Sequence, residues 1–193
     1  FIAHLNQIAS IHKLPIQGVV SDFNQMKLQP NSLDGMYCRW ALAWLPNPKE
    51  ILKKVYDALK PGGIMIVHEY YDWSTHQTQP HKPNLNKAIE AAMQSFKDSQ
   101  GEINIGRELP NLYQELGMKV THTRPMLKMA TVDELAWQWP KTFYHSYFPR
   151  LVEAGHLSAT EVRDALIEVT ELENTPEATL CCPLMVEVIA EKE

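Results

Sequence analysis

A mixed α/β domain built on a mostly parallel sheet is the fold class this sequence predicts, and three observations predict it. Pro48 to Lys60 has helical periodicity, with Asn47 as N-cap, Pro48 in the first position, and Ile51, Leu52, Val55, Ala58 and Leu59 along one face. Ile64-Met65-Ile66-Val67 is a continuous apolar run, the pattern of a strand buried on both faces of a parallel sheet. Leu59-Lys60-Pro61-Gly62-Gly63 joins the two: Pro61 cannot continue the helix, and the glycines permit the positive φ that turns the chain into the strand.

The other elements follow in order. Phe1, Ile2, Leu5, Ile8 and Ile11 share a face of a helix over residues 1–13. Gln17 to Ser21 reads as a strand that ends at Asp22-Phe23. After the Pro30-Asn31-Ser32 turn, residues 35–39 form the next strand, then come the helix over 48–60 and the strand over 64–69. Strands alternating with helices in this way imply right-handed crossovers in a parallel sheet. Asp72 to Pro83 is polar and proline-rich and reads as loop. A helix is expected over 85–99 with Asn84 as its cap, and another over 109–116 closed by Gly117. A strand follows over about 119–127. Thr131-Val132-Asp133-Glu134 and Ser158-Ala159-Thr160-Glu161 have the spacing of capping boxes, so helices are expected near 132–139 and 159–172. Pro183 to Ala190 is the last strand.

The ordered set V-V-S-D-F (19–23), P-N-S-L-D-G-M-Y-C-R-W (30–40), W-L-P-N-P (44–48), a helix, L-K-P-G-G (59–63) and a strand resembles the second half of a Rossmann-like, class I S-adenosylmethionine-dependent methyltransferase. The resemblance covers residues 1–70 closely and the remainder in outline. It implies a sheet of order 3-2-1-4-5-7-6 with an antiparallel last strand. Residues 17–21, 35–39, 64–69, 119–127 and 183–190 would be its third to seventh strands. The first two strands, and the glycine-rich loop after the first, have no counterpart; no G-x-G-x-G occurs in the 193 residues. The chain, which opens at Phe1 inside a helical pattern, reads as one partial domain and as the C-terminal portion of something longer. Insertions over about 70–106 and 128–182 would emerge on the ligand face and form a helical lid.

Composition narrows the partners. The 193 residues are 45% hydrophobic, enough for one domain with a sizeable core. A net charge of −5 without a Lys/Arg run argues against nucleic acid, since phosphate binding needs clustered positive charge. No apolar stretch is long enough to span a bilayer, so no membrane role is expected. Cys38, Cys181 and Cys182 lack zinc spacing and read as free thiols of a reducing, cytoplasmic compartment; no metal site is expected.

Several residues could carry chemistry. The resemblance implies S-adenosylmethionine as cofactor, with the Asp22 carboxylate accepting from the adenine amine and the Phe23 N–H meeting an adenine ring nitrogen. The alternative for Asp22 is that it opens a turn. Cys38 and Arg39 would lie under the methionine part of the cofactor. Arg39, directly after a buried strand, either reaches a cofactor or substrate carboxylate or pairs with one of the acidic residues. Trp44 and Leu45 read as core, and Trp40 as a candidate for the substrate wall. At the carboxyl end of the 64–69 strand, Tyr70 and Tyr71 extend that wall. Strand alternation turns one of His68 and Glu69 away from the site; Glu69 is the candidate to orient or deprotonate a nucleophile. Methyl transfer from a sulfonium needs mainly proximity and alignment, so a base is optional. Six aromatics crowd Trp137 to Phe148; of these, Trp139, Tyr144 and Tyr147 are assigned to the substrate pocket, with some of the stretch serving as a small core of the cap.

The expected activity is methyl transfer to a small-molecule acceptor. Two rivals remain. One is a non-catalytic methyltransferase-fold binding subunit or remnant, in which a homodimer would cover the exposed sheet edge. The other is a dinucleotide-dependent oxidoreductase, disfavoured because no Tyr-x-x-x-Lys pair follows the central strands.

Overall fold

The turn at 59–63 organises the sheet in the computed structural model, which describes all residues 1–193. Helix α2 (Pro48–Ala58) buries Ile51, Leu52, Val55 and Ala58, and ends where Leu59 already pairs with Leu33. Strand β2 therefore runs from Leu59 to Asp72, longer than its apolar run suggests. The two glycines do different work. Gly62 takes a φ of +76°, whereas a Cβ on Gly63 would lie 2.8 Å from the Lys60 carbonyl.

Strand β1 (Leu33–Arg39) pairs in parallel with β2, Met36 opposite Met65 and Arg39 opposite His68. The last strand, β7 (Leu184–Lys192), pairs antiparallel with β2 on one side and with β4 (Met118–Met126) on the other. The order β1-β2-β7-β4 is the 4-5-7-6 half of the expected sheet, antiparallel strand included.

The expected strand at 17–21 is not formed. These residues have no ladder partner, Val19 and Val20 are 66% and 85% exposed, and Gly18 instead exchanges hydrogen bonds with the Asn6 side chain of α1 (Ile2–Ile11). The reason is topological. A third strand bonds only to the second, and these 193 residues offer no second strand, so β-propensity alone cannot hold it.

Beyond β2 the chain builds a second layer. The stretch read as loop contains β3 (Gln77–Gln79), which pairs with β6 (Thr179–Cys181), itself paired with β5 (Met129–Thr131). Helix α3 (Pro83–Asp98) starts one residue before its expected cap. Asn84 lies inside its first turn, and Glu168 takes over the end: its carboxylate accepts the Leu85 N–H and the Asn84 side-chain amide, both at 2.7 Å. The short α4 (Leu109–Glu115) leads through Gly117 into β4.

Helix α5 departs most from expectation. It is one helix of 19 residues, Leu135–Glu153, running through Pro140 and Pro149. Trp137, Pro140, Tyr144, Phe148 and Leu151 recur at three- and four-residue spacing and are buried together, and that stripe outweighs the two lost backbone donors. Thr131 is in β5, and only half of the expected box forms there, Glu134 accepting the Thr131 N–H at 2.9 Å. The second box is complete: Ser158 caps α6 (Ala159–Glu173), and its N–H donates to Glu161. Helices α3, α5 and α6 pack on one another, so the two insertions form one helical layer. No helix of the chain is long and apolar enough to cross a membrane.

Candidate functional site

The carboxyl ends of β1 and β4, the start of β7 and the first half of α5 meet around a cleft of about 290 Å³. Trp40, just past β1, is held at a φ of +55°, a left-handed conformation costly for a bulky side chain. Glu69 fixes the turn that follows: its Oε1 accepts the N–H groups of Ala41 (2.8 Å) and Leu42 (2.7 Å). The Trp40 indole N–H donates to Met185 Sδ at 3.2 Å. Its ring stacks on Trp139 of α5, centroids 4.9 Å apart and planes within 8°, and Tyr70 lies parallel at 6.2 Å. The Arg39 guanidinium sits 3.9 Å from the Trp40 ring centroid.

Glu69 is wholly buried, and its second oxygen, Oε2, has no partner. Burial pushes its pKa up to about 7, against the lowering effect of the backbone N–H groups. It is therefore half protonated near neutrality, and the geometry makes it a brace for Trp40. His68 points to the opposite face, with Nε2 2.6 Å from Glu187 and Nδ1 3.2 Å from the Tyr37 hydroxyl. Burial raises the Cys38 thiol to about 11.

Of the residues singled out from sequence, Arg39, Trp40, Tyr70 and Trp139 come together here. Others are drawn elsewhere. Tyr144 is 3% exposed, and its hydroxyl donates to His76 Nε2. His76 Nδ1–H donates to the Cys181 carbonyl at 2.6 Å, and burial holds the ring's pKa down to about 4, so near neutrality Nε2 carries no proton and accepts. Tyr147 bonds Ser95 at 2.8 Å and stacks on Phe143 at 5.0 Å. Both tyrosines belong to the stripe that packs the helical layer. Tyr71 is half-exposed, with the Arg107 guanidinium 5.4 Å from its ring. Trp44, expected in the core, is 44% exposed and packs on Phe96 at 4.1 Å.

Asp22 lies in an exposed turn, its carboxylate accepting the Asn24 N–H at 2.7 Å, the turn-opening alternative. Phe23 lines a separate apolar groove of about 370 Å³ along the outer edge of β1, with Met36, Cys38 and Arg39. Only Arg39 of the residues singled out lines both clefts. Lys128 and Met185 also line the inner cleft and were not singled out. The antiparallel register placing Met185 opposite Tyr70 could have found the second; nothing in the sequence marks Lys128.

Sequence and structure comparisons converge on one class. Residues 2–67 match the methyltransferase domain family model. The sterol 24-C-methyltransferase erg6 of Aspergillus fumigatus is 24% identical over 129 residues, covering 67% of this chain and 32% of that protein. The chain thus spans about a third of the length of the first curated relatives it matches. Phosphoethanolamine N-methyltransferase 2 of Haemonchus contortus, solved with phosphomonomethylethanolamine and S-adenosylhomocysteine, superposes with a TM-score of 0.53 at 14% identity, over 97% of this chain and 40% of that one. The fold is that of a class I S-adenosylmethionine-dependent methyltransferase. The [4+2]-cyclase SpnF has it too, at a TM-score of 0.55 and 14% identity over 99% of this chain and 62% of that one. Fold alone therefore leaves the reaction open.

The cofactor of this methyltransferase class is S-adenosylmethionine. The residues present fit only part of a cofactor cradle. Arg39 and Phe23 are placed at the β1 edge, the Asp22 carboxylate is engaged by its own turn, and the 193 residues contain no glycine-rich loop.

Proposed function

We infer that this chain is the acceptor-binding part of an S-adenosylmethionine-dependent methyltransferase acting on a small molecule. The observation that carries this reading is the convergence of Trp40 and Tyr70, at the carboxyl ends of adjacent parallel strands, with Trp139 of the helical layer. Ligands of open α/β sheets bind at such strand ends, in pockets that are mostly apolar with a few placed polar groups.

The cofactor, when bound, supplies a methyl group already activated on a sulfonium. The chain's own contribution is alignment and exclusion of water. The stacked indoles offer an apolar wall, Arg39 reaches from the β1 edge into the same cleft, and Glu69 fixes the turn that aims Trp40. No side chain is required as base.

Incubating the protein with methyl-labelled S-adenosylmethionine and a set of small aromatic and aliphatic acceptors tests this. Label should appear in the small-molecule fraction, and Trp139→Ala should raise the acceptor KM about tenfold, the equivalent of one lost aromatic contact. Label that never leaves the cofactor, alongside tight acceptor binding, favours the second reading, a non-catalytic binding subunit.

A further inference from the structure

We propose that the cleft between Arg39, Trp40, Lys128 and Trp139 selects a flat apolar molecule bearing a single carboxylate, an inference that rests on reading this cleft as the acceptor site. Size, shape and charge each bear on it independently.

The cleft measures about 290 Å³. An enclosed apolar cavity of about 150 Å³ holds one benzene, so a body of one or two rings fills this cleft. Trp40 and Trp139, stacked on each other with planes within 8°, line it together with the polarizable Met126 and Met185. Such an aromatic and thioether lining favours a flat apolar ring system.

Charge is the sharper criterion. Only two charged side chains line the cleft, and both are cationic. Lys128 is neutralised by Glu134 at 2.9 Å. Arg39 has no ion-pair partner within 4.0 Å and its side chain makes no hydrogen bond, although the sequence left a structural ion pair open as its role; its plane rests on Trp40 instead. Five N–H donors in a fixed fork thus stand free at the mouth of an apolar cleft. That fork matches a carboxylate in bidentate geometry. With one uncompensated positive charge, the cleft suits a monoanion better than a dianionic phosphate.

Isothermal titration of the protein, without cofactor, with 2-naphthoate, 2-naphthamide and 2-naphthyl phosphate tests the proposal. 2-Naphthoate should bind about tenfold tighter than 2-naphthamide and no more weakly than the phosphate. Arg39→Gln should bring the acid and the amide within about twofold of each other, and Arg39→Lys should keep part of the preference, both with unchanged circular dichroism. Equal affinity of acid and amide for the wild type, a preference that survives Arg39→Gln, or tighter binding of the phosphate would each overturn it. Because no cofactor is present, failure of methyl transfer leaves this test intact. Conversely, efficient methylation of a neutral acceptor without any naphthoate preference would end the carboxylate assignment and leave methyl transfer standing.

Discussion

At the scale of single residues, the strain at Trp40 and the buried charge at Glu69 are one arrangement. The carboxylate holds the two N–H groups that follow the left-handed residue, and burial raises its pKa from 4.5 to about 7. In that pH range the folded chain binds more protons at this group than the unfolded chain does. Its contribution to stability is thus fully present below pH 4.5 and lost as pH rises through about 7. The loss is on the order of 3 kcal/mol. Glu69→Gln keeps an acceptor oxygen and cannot titrate, so urea unfolding at pH 5 and pH 8 should show wild type losing stability relative to the variant as pH rises. Parallel profiles would show that the buried carboxylate does not titrate there. Strand alternation already separated Glu69 from His68 in the sequence, because period two is enforced by the pleat. It could not tell Trp139, which reaches the cleft, from Tyr144 and Tyr147, which pack inward. All three lie on one aromatic stretch, and only the helix phase through Pro140 assigns them.

At the scale of elements, the sequence was legible wherever a local signal and its partner both lie within the chain. Helix α2, the glycine turn and the β1, β2 and β7 strands follow their patterns, since each strand finds a neighbour in the sheet. The 17–21 segment has the pattern without the neighbour and forms no strand. The three-stranded sheet was invisible because three-residue strands carry no periodicity, and proline made α5 look like two pieces. Helix ends give the clearest tests. The complete box at Ser158 predicts that Ser158→Ala lowers stability by about 1 kcal/mol in thermal or urea melts. Glu168 binds the start of α3 from α6, so Glu168→Leu should cost about 1–3 kcal/mol by leaving the Leu85 N–H without its acceptor. A change within error in either case would show that tertiary packing alone fixes these ends.

At the scale of the whole molecule, β1 is hydrogen-bonded on one side only, and an apolar groove lined by Phe23, Met26, Met36 and Leu52 runs along its open side. Unpaired edges of this kind template pairing. Light scattering is expected to give about twice the 22.1 kDa mass at high concentration, with Tyr37→Lys shifting the population towards monomer. A monomer at every concentration would mean that the edge is covered in another way. The cleft proposed as the acceptor site lies at the end of β1, between strand ends and the helical layer. Its most direct test uses the five tryptophans, at 40, 44, 73, 137 and 139, as site-resolved probes: indole N–H resonances followed by heteronuclear NMR during titration with 2-naphthoate. The signals of Trp40 and Trp139 should shift together and saturably while those of Trp44, Trp73 and Trp137 hold still. Shifts confined to Trp44, Trp73 or Trp137, or no saturable shift at Trp40 and Trp139, would contradict an acceptor site at the ends of β1 and β4.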